Sequence, residues 1–213
     1  KGVKRPAIAS FIPTLQGGKL LVDAGANTNV DVINLVQFAQ MGSVYMECMQ
    51  NITKPKVGLI NNGTEETKGT ELTQAAYQEL KTAPGINFYG NIEGRDITAG
   101  ICDVMVCDGF TGNVILKTME GMGKGIVTML KEELMATTRC KLGAALAKPA
   151  LANLKKRMDY SDYGGAPLLG VNGVSIVCHG SSDAKAVCNG IKAAMIGAES
   201  GFVQKITDLM PQA

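Results

Sequence analysis

Residues 102–117 read CDVMVCDGFTGNVILK. Asp103 to Cys107 is a short apolar run suited to a strand buried on both faces, and Asp108 to Asn113 is a polar, glycine-rich turn from which Val114 starts a helical pattern. Gly109 and Gly112 let the backbone turn tightly and come close to a ligand, and the first amides of the following helix favour an anion. A loop of this kind is also ordinary strand-to-helix punctuation, so by itself it indicates only an α/β fold.

Working outward, the same unit recurs. Lys19 to Asp23 is a strand ending in DAGAN, and Val30 to Gln50 carries helical apolar spacing. Lys56 to Ile60 is a second strand, ending in NNGTEETKG before a helix from Glu71 to Lys81 that Pro84 and Gly85 close. Ile86 to Gly90 is a third strand followed by NIEGRD, and Val174 to Cys178 is a last strand followed by HGSSD and a helix from Ser182 to Leu209. The opening KGVKRPAIASFIPT carries no start signal for either kind of element.

Strands alternating with helices predict a parallel sheet covered on both faces and joined by right-handed crossovers. Ligands bind such sheets outside the carboxyl ends of the strands. The five loops there bring Asn27, Asn61, Asn62, Thr64, Lys68, Arg95, Asp108, Thr111, Asn113, His179 and Ser181 to one expected rim. No loop matches G-x-G-x-x-G or G-x-x-x-x-G-K-[ST], so small anions are favoured over dinucleotides or a P-loop nucleotide.

Between Lys117 and Met158 nine Lys or Arg face three Glu, a balance of +6 within a chain whose formal net charge is +2. Two amphipathic runs that break near TTRC predict an α-hairpin standing off the sheet, with Pro149 kinking the second run. Leu142, Leu146, Lys141 and Lys148 form its candidate contact surface, for a dimer or core partner or for anionic lipid or an acidic protein. The organisation expected is residues 1–116 as α/β core, 117–158 as protruding basic hairpin, and 159–213 as the return to the core, through the turn-rich DYSDYGGAPLLGVNG.

Composition excludes several classes. An apolar content of 46% supports a globular core, while the small net charge, ten aromatics and no Trp disfavour nucleic acid. No apolar run approaches the ~18 residues of a membrane span and no signal peptide opens the chain, so a cytoplasmic location is expected. The six cysteines lack a C-x-x-C pair and read as reduced thiols rather than zinc ligands or disulfides, and the neighbours Cys178 and His179 would point to opposite faces of a strand. The aspartates form no cluster suited to a hard cation.

DAGAN, QFAQMGSVY, VGLINNGTEETKGTELT, DVMVCDGFTGNVILKTMEG, YSDYGGAPLLG and HGSSDAKAV, in this order and spacing, closely resemble the PlsX family of bacterial phosphate acyltransferases of phospholipid synthesis. The resemblance covers Arg5 to Gly197 and implies that an amino-terminal third of the family's length, with a further glycine-rich loop, is missing. It implies a fold similar to phosphotransacetylases and to isocitrate and isopropylmalate dehydrogenases, in a homodimer that associates peripherally with the membrane through the hairpin. It implies transfer of an acyl group from acyl carrier protein to inorganic phosphate, without metal or nucleotide cofactor. The family's catalytic lysine falls on Lys68 and its catalytic asparagine on Asn113.

Phosphate attacking a thioester needs no enzymic nucleophile, only a held anion and a stabilised oxyanion. Lys68 suits the first task and the Asn113 amide either, with Asn27, Thr64, Asp108, Thr111, Gly112, His179 and Ser181 as candidate phosphate contacts. On residue type alone Lys68 also reads as a solvated loop lysine, Asn113 as a helix cap and His179 as a structural histidine. A phosphotransacetylase acting on coenzyme A thioesters, a metal-dependent decarboxylating dehydrogenase and a non-catalytic membrane or carrier-protein adaptor remain as alternatives.

Overall fold

The computed structural model describes residues 2–158, 164–180 and 182–210, with the backbone alone for 155–158. Ser181 and residues 159–163 of the connector lie outside the described residues.

The centre is a seven-stranded sheet in the order β4-β3-β5-β2-β1-β6-β7. Its parallel part is β2 (Gly17–Val22), β3 (Lys56–Ile60), β4 (Asn87–Ile92) and β5 (Val104–Val106), and the segments that follow them are four of the five that the sequence puts at one rim. Val104, Met105 and Val106 are all buried, as a strand packed on both faces requires. The carboxylate of Asp103 joins three neighbouring strands at the opposite edge: it accepts Lys19 Nζ at 2.7 Å and the Lys56 backbone N–H at 2.9 Å.

The sheet is not parallel throughout. β1 (Ala7–Thr14) forms a hairpin with β2 across Leu15 and Gln16, antiparallel, with Phe11 opposite Leu20. The opening segment is thus a strand, stabilised by long-range pairing rather than by a start signal of its own. β6 (Ala166–Leu169), inside the stretch read as a connector, pairs antiparallel with β1, and β7 (Ile176–Val177) pairs antiparallel with β6. Two reversals make β6 run with the parallel set and a third turns β7 against it.

One face of the sheet carries α1 (Val32–Gln50), α2 (Glu71–Thr82), α6 (Ala184–Ser200) and α7 (Phe202–Leu209), numbered in chain order with the helices below. The predicted single helix to Leu209 is broken by Gly201, whose φ of 72° is the left-handed conformation that ends a helix. α1 is buried over almost its whole circumference, and its two buried glutamines are satisfied across the fold: Gln37 Nε2 donates to Gly2 O at 2.8 Å and Gln40 Nε2 to Pro84 O at 3.1 Å. The other face buries Ile12, Leu21, Ile60, Ile92 and Met105 beneath Ile97 of α3 (Gly94–Ala99) and Ile115 and Met119 of α4 (Gly109–Met135). NIEGRD therefore opens a short helix instead of remaining a loop.

α4 begins at Gly109, five residues earlier than the sequence pattern indicates. Its first three turns pack on the sheet; the rest, about 40 Å long in all at 1.5 Å per residue, leaves the core and pairs with α5 (Thr138–Met158). The break near TTRC is present, α5 continues through Pro149, and Leu142 and Leu146 are 68% and 81% exposed. Among the described residues no helix is long and apolar enough to cross a membrane.

Candidate functional site

β2 connects to β3 on the far side of β5, β3 connects outward to β4, and β5 leads away toward β6. Connections therefore part in opposite directions between β3 and β5, which is where open α/β sheets form a ligand crevice. A cleft of about 520 Å³ lies there. Leu59 and Ile60 of β3, Cys107 and Asp108 after β5, Thr28, Asn29 and Val30 of the loop after β2, and Thr70, Leu72 and Thr73 at the start of α2 contribute to its wall, with Phe110 and Thr111 of α4.

The loop after β2 is built around Asp23, a fully buried carboxylate following three buried apolar residues. Its Oδ1 accepts the backbone N–H groups of Ile8, Gly25 and Ala26 at 3.1, 3.1 and 2.9 Å, and Oδ2 accepts the Asn27 N–H and side-chain amide at 2.7 and 2.9 Å. The other amide hydrogen of Asn27 goes to Pro6 O at 2.7 Å. Asn27, a candidate phosphate contact by sequence, thus has its donors committed to the loop and acts as a structural brace. Asp23 was not singled out by sequence; its signal is a lone carboxylate at the end of an apolar strand, which needs donors when buried.

The DGFTGN segment docks against that loop through its glycines. A Cβ on Gly109 would stand 2.7 Å from the backbone N and O of Asn27, and one on Gly112 would collide with the Asp23 carbonyl oxygen. The helix cap is Asp108: Oδ1 accepts the Thr111 N–H at 2.9 Å and Oδ2 its hydroxyl at 2.7 Å. Capping by Asn113 is therefore excluded as its role. Asn113 lies in the second turn, exposed, and near Gly25, where an added Cβ would meet Asn113 Cβ at 3.5 Å.

Lys68 is exposed on the loop between β3 and α2. Its stem runs over Gly63, where a Cβ would come within 2.7 Å of Lys68 Cγ. The same loop is tethered by Glu66, which accepts Lys81 Nζ at 3.0 Å and the Tyr77 hydroxyl at 3.2 Å, and Lys81 foremost holds the Glu66 carboxyl below its usual pKa. Neither Lys68 nor Asn113 is among the cleft-lining residues, but each is two positions from one, Thr70 and Thr111 respectively. Thr64 is exposed on the Lys68 loop, and Gly112 is buried at the docking contact.

His179 does not join them. β7 runs against the parallel strands, so its carboxyl end points to the edge of the sheet opposite the cleft, three strands beyond β2. The alternation of strands and helices concealed this reversal, and the expected convergence of HGSSD on the rim is overturned for His179; Ser181 lies outside the described residues. Cys107 in the cleft wall and Cys102, beside Asp103 at the opposite edge, are both buried, and burial raises both thiols, Cys102 to about 12 and Cys107 well above its ordinary value. Among the described residues no group of three or more His, Cys, Asp or Glu is arranged to hold a metal ion.

Solved structures share this architecture. The EutD phosphotransacetylase from Staphylococcus aureus superposes with a TM-score of 0.61 at 14% identity, over 92% of this chain and 55% of that one. A phosphotransacetylase from Streptococcus pyogenes gives 0.59 at 15% identity, over 95% and 55%. At such identities the likeness is one of fold. Sequence relatives are much nearer: phosphate acyltransferases of Heliobacterium modesticaldum and Desulfitobacterium hafniense are 55% and 54% identical over 99% and 100% of this chain. The chain spans 62% and 64% of their lengths. The family described as fatty acid synthesis protein matches residues 1–205. With that match along nearly its whole length, the chain belongs to the fatty acid synthesis protein family.

Proposed function

We propose that this chain forms the phosphate- and thioester-handling part of a phosphate acyltransferase that converts an acyl group on acyl carrier protein, with inorganic phosphate, into acyl phosphate. The observation that carries the reading is the flanking of the switch-point cleft by the loop that bears Lys68 and by the start of α4, which bears Asn113, in a chain whose relatives are named phosphate acyltransferases. A phosphate oxygen attacks the thioester carbonyl carbon; the new C–O bond forms, the C–S bond breaks, and the leaving thiolate takes up a proton. Lys68 neutralises and orients phosphate as a point charge, and Asn113 donates its amide to the developing oxyanion or to phosphate. Thr64, Asp108, Thr111 and the backbone at Gly112 shape the anion's surroundings, Asp108 through the Thr111 hydroxyl it orients.

The half-apolar wall, with Val30, Leu35, Leu72 and Phe110 beside Thr28, Thr70 and Thr111, suits a substrate with an apolar chain and an anionic end. The hairpin supports the further reading of a homodimer associated peripherally with the membrane, since Lys141 and Lys148 flank the exposed Leu142 and Leu146. Acyl phosphate formation measured in the complete enzyme with acyl carrier protein and with coenzyme A thioesters tests the proposal. Turnover with the carrier protein is expected; turnover with coenzyme A thioesters alone makes it a phosphotransacetylase, and none with either leaves an adaptor.

A further inference from the structure

The loop that presents Lys68 has no regular secondary structure between β3 and α2, yet its carbonyls are taken up one after another by side-chain amides from three elements. Gln74 Nε2, on α2, donates to Thr67 O at 2.7 Å and to Gly69 O at 3.3 Å, the carbonyls on either side of Lys68. Asn61 Nδ2, at the end of β3, donates to Lys68 O at 3.1 Å, and its Oδ1 accepts the Asn62 N–H at 2.9 Å. Asn91 Nδ2, buried on β4, donates to Glu65 O at 2.8 Å. Gly69, at a φ of +96°, makes room: a Cβ there would collide with Asn61 and with the Thr73 hydroxyl.

Four carbonyls within five residues are thus held by Asn61, Gln74 and Asn91, and the loop cannot rotate its peptide planes without exchanging several of these bonds for water. The exposed Lys68 side chain is in consequence carried on a backbone fixed from below. Gln74 is itself exposed, and its side-chain amide is given to the carbonyls of the Lys68 loop.

We propose that Gln74, supported by Asn61 and Asn91, is a positioning residue for Lys68, holding the ammonium where phosphate binds; this rests on the catalytic reading of Lys68 given above. A loop so held loses no ordering entropy when the anion arrives, and a displacement of about 1 Å at a catalytic group costs on the order of a hundredfold in rate. Loss of the clamp acts on phosphate saturation first, because Lys68 remains present but its position is spread.

The test is a cycle of Lys68→Ala, Gln74→Ala and the double variant in the complete enzyme, read by acyl phosphate formation against phosphate concentration, thermal melting, and hydrogen exchange of the 64–70 segment. Gln74→Ala is expected to lower kcat/KM for phosphate by on the order of tenfold or more. It should do so mainly through KM, with an unchanged melting temperature and faster exchange confined to the loop. The double variant is expected to be no worse than Lys68→Ala, because a clamp without its lysine has nothing to position. Normal phosphate kinetics in Gln74→Ala beside an inactive Lys68→Ala overturns the clamp while leaving the catalytic reading intact. Full activity in Lys68→Ala overturns the catalytic reading and the clamp's purpose with it, whatever the exchange shows.

Discussion

Gly112 lies directly beneath the backbone carbonyl of Asp23, with no room for a Cβ between them. This contact seats the start of α4 on the loop after β2 and so relates the Asn113 side chain to Gly25. Gly112→Ala should therefore destabilise the protein by about 3 kcal/mol, the upper part of the range for overpacking, since the obstructing atom is backbone. Gly121 on the same helix faces open space, and Gly121→Ala should instead stabilise by about 0.5–1 kcal/mol. Thermal melting of the two variants checks the contrast; equal shifts would show that Gly112 acts through helix propensity alone.

Asn113 is exposed in the second turn of α4, and Asp108 is the cap. Asn113→Ala and Lys68→Ala should each leave the melting temperature within about 1 °C and lower acyl phosphate formation by on the order of a hundredfold, as for loss of a preorganised oxyanion donor. Asp108→Ala should do the reverse in stability, costing about 1 kcal/mol through the lost cap. Near-normal turnover in Asn113→Ala would remove it from the site and leave Lys68 without that partner.

Burial holds Cys102 up at about 12, from 9.0, and Tyr45 up at about 12, from 10.0. In the unfolded chain these groups lose their protons near the ordinary values, while the folded protein keeps them. The unfolded state thus binds fewer protons above about pH 9, and stability must fall as pH rises from there toward 12. Melting between pH 7 and 10.5 should show a flat region followed by a decline. At pH 8 a thiol reagent should label the exposed Cys178 and Cys188 first and reach Cys102 and Cys107 only on unfolding.

The hairpin's exposed leucines stand among basic residues, and each cation near an anionic surface contributes about 1 kcal/mol. Leu142→Glu with Leu146→Glu should release the complete enzyme from anionic liposomes in a sedimentation assay, without lowering turnover on a soluble substrate. Raising the ionic strength should weaken binding of the unsubstituted protein. Sedimentation indifferent to both would leave the hairpin as a protein contact only.

Much was legible in residue order because it depends on local periodicity and turn chemistry. The strand Lys56–Ile60 is present as its apolar run indicates, Pro84 and Gly85 do follow α2, and the α-hairpin breaks at TTRC. The motifs that resemble the phosphate acyltransferases fall in a chain that the family matches over residues 1–205. Sequence also identified the loops after β3 and β5, which flank the cleft, since a loop's rank in a strand and helix alternation is a local property.

Strand direction and partner choice are nonlocal, and only the tertiary structure decided them. β1 exists because Phe11 and its neighbours pair with β2 on one side and β6 on the other, and two antiparallel steps beyond it turn β7 round and carry His179 away from the cleft. Asn27 looked like a ligand contact until the buried Asp23 carboxylate claimed its amide. The start of α4 moved to Gly109 because a helix can begin among glycines where their bare backbone fits against another loop, a fit that no periodicity encodes. Composition, spacing and motif determined which residues could do chemistry; the hydrogen-bond demands of buried groups and the sense of each strand determined which of them face the same space.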